Sequence, residues 1–268
     1  MARFEKYTTH GASAMLFHNS REFPSGFAPK NIDIDEARTS QNYSLCENAT
    51  TLKESRDYYK QRLNEIYCYK NVELKTLGMW VVTAPADLAP EQEKDFFQAA
   101  HDYMDFLYGK ENCVQSIVHK DEGIKNADGE IVEGKAHLHY SFVPAVENKK
   151  YLQVDKRGCI SKQNHYQEKC CIHDIVTPTH LKNFNSGLQQ LCDERGIKCT
   201  IANRATSGGN RTVAELKDKT RVEILTKENE HLREQVKSKE HTTSPWSDSS
   251  RSGWSKGANK EWQNEKEY

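Results

Sequence analysis

No apolar run in this 268-residue chain approaches membrane-spanning length, which excludes a helical membrane anchor from the expectations. Met1-Ala2-Arg3-Phe4-Glu5-Lys6 lacks the apolar stretch of a secretory signal, so a cytoplasmic protein is expected. The eight cysteines, at positions 46, 68, 113, 159, 170, 171, 192 and 199, include no Cys-x-x-Cys pair. Adjacent Cys170 and Cys171, flanked by His165 and His173, should diverge and read as inert, reduced thiols rather than zinc ligands. Net charge is also missing. Its value of −1 argues against a simple electrostatic glove for DNA, and 12 basic against 11 acidic residues from Arg211 onward hide no basic domain. Apolar content is low, at 36 % with a mean hydropathy of −0.88, so the core must be concentrated upstream of a polar tail.

What the chain does carry is His137-Leu138-His139. Residues 136–143 read as a strand, in which alternate side chains share a face. Leu138, Tyr140 and Phe142 then point one way, and His137, His139 and Ser141 the other. His119 ends a second strand-like run, Cys113–His119, and Glu122 follows it. Three imidazoles and a carboxylate that leave positions open describe a catalytic metal site better than a structural one. A solvated strand face would account for the pair alone, but less readily for the second cluster. Ser141 stands where a histidine-triad hydrolase needs a third histidine, and no second His-x-Ser/Thr element supports a two-histidine phosphoesterase.

Residues 1–45 look irregular or strand-like. A helix is expected over 50–69, a core strand over 78–84, and a helix opened by Pro90 and stopped at Gly109. After the two histidine strands come a short hairpin over 151–160, an amphipathic helix over 178–195 with Leu181, Phe184, Leu188 and Leu191 inward, and a last strand over 198–202. The expected class is α+β, an antiparallel sheet with helices packed on one face, over residues 1–206. Residues 207–211 read as a linker and 212–240 as a charged helix. Val222, Leu225, Asn229, Leu232 and Val236 fall at a, d, a, d, a, a pattern suited to a coiled-coil homodimer. Residues 241–268 should be disordered. Lys149, Lys150, Lys156 and Arg157, with tyrosines interleaved, suit single-stranded nucleic acid, although charge runs are often plain solvated surface.

Taken in order, these motifs resemble the plasmid mobilisation and recombination (Mob/Pre) relaxases of the MOBV class, among the HUH endonucleases. His119–Glu122 is similar to the family's His-x-Asp-Glu element, and His137–His139 with Phe142-Val143-Pro144 to its His-hydrophobe-His run. Phe17-His18-Asn19-Ser20-Arg21-Glu22 resembles its first motif, and the stretch ending in Asn42-Tyr43 the segment that follows. The likeness covers roughly residues 1–200. Two departures stand out: Ala136 replaces a proline, and an insertion over 123–135, with Asp128-Gly129 at its middle, reads as a hairpin.

The resemblance implies a relaxase that nicks and rejoins single-stranded or supercoiled plasmid DNA at a transfer origin by transesterification, holding the 5′-phosphate covalently. It implies a divalent ion on His119, His137, His139 and Glu122; imidazole-rich ligation points to Mn²⁺ or a similar transition metal rather than Mg²⁺. Asp121 either orients a ligand imidazole or is a loop acid. The resemblance makes His18 the nucleophile, with Arg21 holding a phosphate and Tyr43, Tyr58 and Tyr59 as fallbacks. Tyr43, Lys149, Lys150, Lys156 and Arg157 are the expected DNA contacts. The rivals are a rolling-circle replication initiator, a non-cleaving origin-binding protein and a phosphoesterase for small nucleotides.

Overall fold

The computed structural model describes residues 2–23, 31, 33–125, 131–201, 222, 225–227 and 229–236. Two compact units divide the chain, Met1–Ala214 and Glu215–Tyr268.

The first unit opens with β1 (Ala2–Thr8) and α1 (Thr9–Ser20), followed by β2 (Tyr43–Ser44), α2 (Leu52–Glu65) and β3 (Lys75–Thr83). Next come α3 (Glu93–Tyr108), β4 (Cys113–His119), the hairpin β5 (Ile124–Lys125) and β6 (Ile131–Glu133), and β7 (His137–Phe142). The last elements are β8 (Ala145–Glu147), β9 (Glu168–Cys170), α4 (Ile172–Ile175) and α5 (Pro178–Glu194). The main sheet has the order β1-β3-β7-β4-β2, antiparallel throughout, so β7 lies at its centre. β8 and β9 pair separately.

Alternation along β7 divides the sheet into two faces. Leu138, Tyr140 and Phe142 are fully buried on the face covered by α3 and α5. Trp80 stacks on Phe184 at 3.7 Å between ring centroids, and Tyr108 on Phe142 at 3.9 Å. Each such pair is worth about 0.5–1.5 kcal/mol beyond its buried area. The Trp80 indole N–H donates to the Tyr108 hydroxyl at 2.6 Å, so both polar tips are satisfied inside the core. The α+β class holds, with one addition: α1 and α2 pack on the opposite face, around Leu16, Tyr59, Leu77 and Val114.

Helix boundaries follow local chemistry. Thr51 and Glu54 form a capping box at the start of α2. Pro90 begins the turn leading into α3, and Gly109, at φ +83°, ends that helix as its N–H reaches the Asp105 carbonyl.

Several expectations change. The N-terminal segment is β1 and α1, so the first motif lies on a helix. Leu181 is 44 % exposed, whereas Phe184, Leu188 and Cys192 form the buried stripe of α5. Residues 197–201 form no strand. Three of their amides are taken by side chains, Lys198 by Gln92, Thr200 by Asp87 and Ile201 by Gln189, which removes those donors from any sheet edge. The hairpin over 151–160 reduces to a single bridge, Val154 to Ile160.

In the second unit the described residues are helical, and Val222, Leu225, Leu232 and Val236 are exposed. The linker over 207–211 and the tail over 241–268 lie outside the described residues, as does most of the expected helix over 212–240. No helix among the described residues is long and apolar enough to cross a membrane.

Candidate active site

The register of β4 against β7 sets His119 directly opposite His137, and His139 follows two residues later on the same face. One ring nitrogen from each of the three imidazoles lies within 4.8 Å of the other two. Centroid separations are 4.7 Å for His119–His139, 5.0 Å for His137–His139 and 5.5 Å for His119–His137. The end of α1 brings a fourth ring: His18 stands 6.0 Å from His139 and 6.2 Å from His119.

The C-terminus of α1 is fastened to this face by its own unpaired carbonyls. Gln115 donates to the Leu16 carbonyl at 3.2 Å, Arg21 Nη1 to that of His18 at 2.6 Å, and His119 Nε2 to that of Asn19 at 2.8 Å. The negative end of the helix dipole therefore points at the histidines and favours positive charge there. Arg21 turns out of the helix in the left-handed conformation, φ +56°, which costs a non-glycine residue of order 1–3 kcal/mol. Its contacts offset that strain. Nε donates to Asp121 at 3.1 Å, and Nη2 reaches His119 Nδ1 at 3.0 Å and binds Glu122.

Tautomers follow from these partners. His137 Nδ1 donates to the Lys135 carbonyl at 3.1 Å, leaving Nε2 facing Glu122 Oε2 at 3.6 Å. His119 spends Nε2 on Asn19 and so presents Nδ1. His139 is buried with no hydrogen bond at either ring nitrogen. Burial without a partner is costly. The His139 lone pair among other imidazoles fits a metal ion better than a structural hydrogen-bond network.

Burial, then the neighbouring His119 and His137, holds His139 well below its ordinary pKa. Burial followed by the Arg21 charge lowers His119 to about 3 and also depresses His18. Burial alone would raise Glu122 and Asp121, but the Arg21 guanidinium together with the surrounding polar groups outweighs it, and both are lowered. His119, His139 and His18 are thus held neutral beside ionised carboxylates, as cation ligation requires.

The structure gathers His18, Arg21, His119, Asp121, Glu122, His137 and His139 into one site. It redirects two expected roles. Asp121 bonds no ligand imidazole; it grips Arg21, Asn42 at 2.8 Å and Thr39 at 3.0 Å, reaching His119 only through Arg21. Arg21 is 7 % exposed and engaged at every guanidinium nitrogen, so it is not offered to a phosphate in this arrangement.

Tyr43 is displaced outright. It pairs with Val118 on β2, packs towards the α3 core, and keeps a buried hydroxyl away from the imidazole face. The fallback tyrosines are also committed elsewhere, Tyr58 to the Glu111 carbonyl at 2.7 Å and buried Tyr59 to Thr76 at 2.6 Å. Lys149, Lys150, Lys156 and Arg157 are exposed on a loop tied mainly to itself, through Asn148 and Asp155. No hydrogen bond or ion pair among the described residues joins that loop to the histidines.

Sequence reasoning gave no role to Asn19, Ser141, Asn42 or Thr39. Asn19 Nδ2 meets Ser141 Oγ at 3.4 Å beneath the cluster. The available signal was position: Asn19 adjoins His18, and Ser141 continues the alternation of His137 and His139.

A family model described as plasmid recombination enzyme matches residues 1–208. The chain belongs to the plasmid recombination enzyme family. Among its relatives, the plasmid recombination enzyme of Bacillus thuringiensis is 28 % identical over 156 residues, 56 % of this chain and 32 % of the relative. The type 2 enzyme of Staphylococcus aureus strain Mu50 is 30 % identical over 160 residues, covering 56 % and 33 %. This family member thus matches about a third of the length of those relatives. A solved MobM relaxase domain, Mn-bound and in complex with oriT DNA, shares the fold at a TM-score of 0.56 and 21 % identity, over 82 % of this chain and 97 % of that one.

Proposed function

We propose that this plasmid recombination enzyme family member is a relaxase, which nicks and rejoins single-stranded DNA at a plasmid transfer origin, with His18 as nucleophile. One observation carries the reading: the His18 ring sits about 6 Å from two members of a buried three-histidine cluster, at the end of a helix fastened to the strand that bears one of them.

His119 through Nδ1, His137 through Nε2 and His139 would hold a divalent ion, with Glu122 as the carboxylate donor beside them. The imidazole-rich set favours a transition metal over Mg²⁺, and Mn²⁺ is the ion bound in the MobM relaxase domain of the same fold. A bound ion polarises the scissile phosphate as a Lewis acid. Because a guanidinium and a cation cannot share one lone pair, ligation by His119 requires Arg21 Nη2 to withdraw from Nδ1. Its bond to Asp121 through Nε can remain.

Glu122 faces His18 Nε2 at 3.5 Å and can accept its proton, while the depressed pKa keeps the ring neutral near pH 7. Attack by a ring nitrogen forms a P–N bond, breaks the bond from phosphorus to the 3′ oxygen, and leaves a 3′-hydroxyl once that oxygen takes a proton. The 5′-phosphate stays on the imidazole as a phosphoramidate, so the strand can rejoin without ATP. Exposed Lys149, Lys150, Lys156 and Arg157 supply the phosphate-tracking surface, with Tyr151 available for base stacking.

Incubating the chain with a supercoiled plasmid bearing its own transfer origin tests the reading. Wild type with Mn²⁺ should convert supercoiled to relaxed circles, and EDTA or His137→Ala should abolish the conversion. Nicking that is indifferent to both would sink the proposal.

A further inference from the structure

Behind the catalytic face, on the α3 side of the same sheet, a second group of ligand atoms converges. One ring nitrogen of His101, an Asp105 carboxylate oxygen and Cys113 Sγ all lie within 4.8 Å of one another. Cys46 Sγ stands 3.7 Å from Cys113 Sγ. We propose that His101, Asp105 and Cys113 form a second metal site for a thiophilic divalent cation of the Zn²⁺ type, with the Cys46 thiol packed beside it.

The spacings suit such an ion. Nitrogen and oxygen ligands at about 2.0 Å from a tetrahedral ion stand about 3.3 Å apart, and His101 Nε2 and Asp105 Oδ2 are 3.4 Å apart. As an ion pair that last distance is long, since charge-assisted N–H···O bonds usually fall near 2.7–2.9 Å.

The surrounding bonds aim the donors. Ser116 Oγ occupies His101 Nδ1 at 2.9 Å, leaving Nε2 towards the group. The Tyr140 hydroxyl donates to Asp105 Oδ1 at 2.7 Å, leaving Oδ2. His101, Cys46 and Cys113 are buried. A cavity of about 170 Å³, lined by His101, Asp105 and Cys113 with Glu47, Asn48 and Glu111, opens beside them and gives an ion a path from solvent.

One carboxylate, one thiolate and an imidazole balance a divalent charge, and the cavity leaves the fourth position to water. Such an ion would tie α3 to the start of β4, the strand whose far end carries His119. The group uses none of the residues assigned to the catalytic centre.

Anaerobic titration of the full chain with Co²⁺ tests the proposal. The catalytic histidines offer only nitrogen and oxygen, so a near-ultraviolet thiolate-to-Co²⁺ band excludes them, and its loss in Cys113→Ala assigns it to the second site. Wild type and His139→Ala should both develop the band, whereas Cys113→Ala should lose it. Asp105→Asn, which keeps an acceptor for Tyr140 and guards against misfolding as the cause, should weaken Co²⁺ binding at that band by more than about 10-fold. Absence of the band in wild type, its persistence in Cys113→Ala, or full affinity in Asp105→Asn would each overturn the assignment. So would a peptide map of anaerobically purified protein showing Cys46 and Cys113 already joined as a disulfide.

Discussion

Replacing Asp121 by Asn separates the charge that fixes Arg21 from the shape of the side chain. Asp121 is fully buried. Its Oδ2 accepts from Arg21 Nε at 3.1 Å, Thr39 at 3.0 Å and Asn42 at 2.8 Å, while Oδ1 faces Arg21 Nη2 at 3.4 Å. An amide oxygen can keep the three bonds at the Oδ2 position, but its NH₂ then confronts another donor, Arg21 Nη2. Losing one partner of a buried ion pair costs about 3–5 kcal/mol, and because Glu122 still partners Arg21 the lower end, about 3 kcal/mol, is expected. With a urea m-value of about 2 kcal/mol/M, the unfolding midpoint of the metal-free chain should fall by about 1.5 M at pH 7. Fluorescence of buried Trp80 provides the readout. A midpoint within about 0.3 M of wild type refutes the reasoning.

Metal binding should stabilise the folded chain: Mn²⁺ at 100 times its Kd adds about 2.7 kcal/mol, visible as a raised melting temperature that His139→Ala abolishes. The metal-free protein should weaken in acid. Below pH 6.5 the unfolded chain protonates His119 while the folded chain refuses that proton until about pH 3, so this contribution is complete above 6.5 and is lost between those values. Urea midpoints measured from pH 7 to 4 check the trend, and a flat profile contradicts it. Neutralising Lys156 and Arg157 together should flatten the salt dependence of oligonucleotide binding by about 1.4 in log–log slope if both contact phosphate. Gly187→Ala should cost about 1–3 kcal/mol, because its Cβ would meet the Tyr103 hydroxyl and lie 2.8 Å from Cζ where α5 crosses α3; thermal melting measures it.

The sheet half of the site was legible because strand alternation is strict. Leu138 and Tyr140 buried on one side force His137 and His139 to the other, and the apolar run ending at His119 gave β4 its bounds. The helical half was not. The buried stripe of α1 is Ala12, Leu16 and Asn19, interrupted by Gly11 and ending on a polar side chain, so it carries little of the apolar signal that marks a helix. Contacts that depend on long-range closure were equally hidden. Asp121 beside Thr39 and Asn42 follows from the 33–42 segment pairing with the acid loop, through Ile34 to Glu122 and Asp35 to Asp121. The placement of Tyr43 was hidden because a two-residue edge strand gives no alternation from which to assign its face.

The nucleophile is the most exposed claim of the mechanism. Trapping the chain on an oligonucleotide with a nick-proximal 3′ end, then dividing the denatured product between acid and neutral incubation, addresses it directly. A His18 phosphoramidate predicts a covalent species that survives at neutral pH, disappears in acid, and never forms in His18→Ala. An adduct that withstands acid and persists in His18→Ala would place the phosphate on a tyrosine and contradict the account.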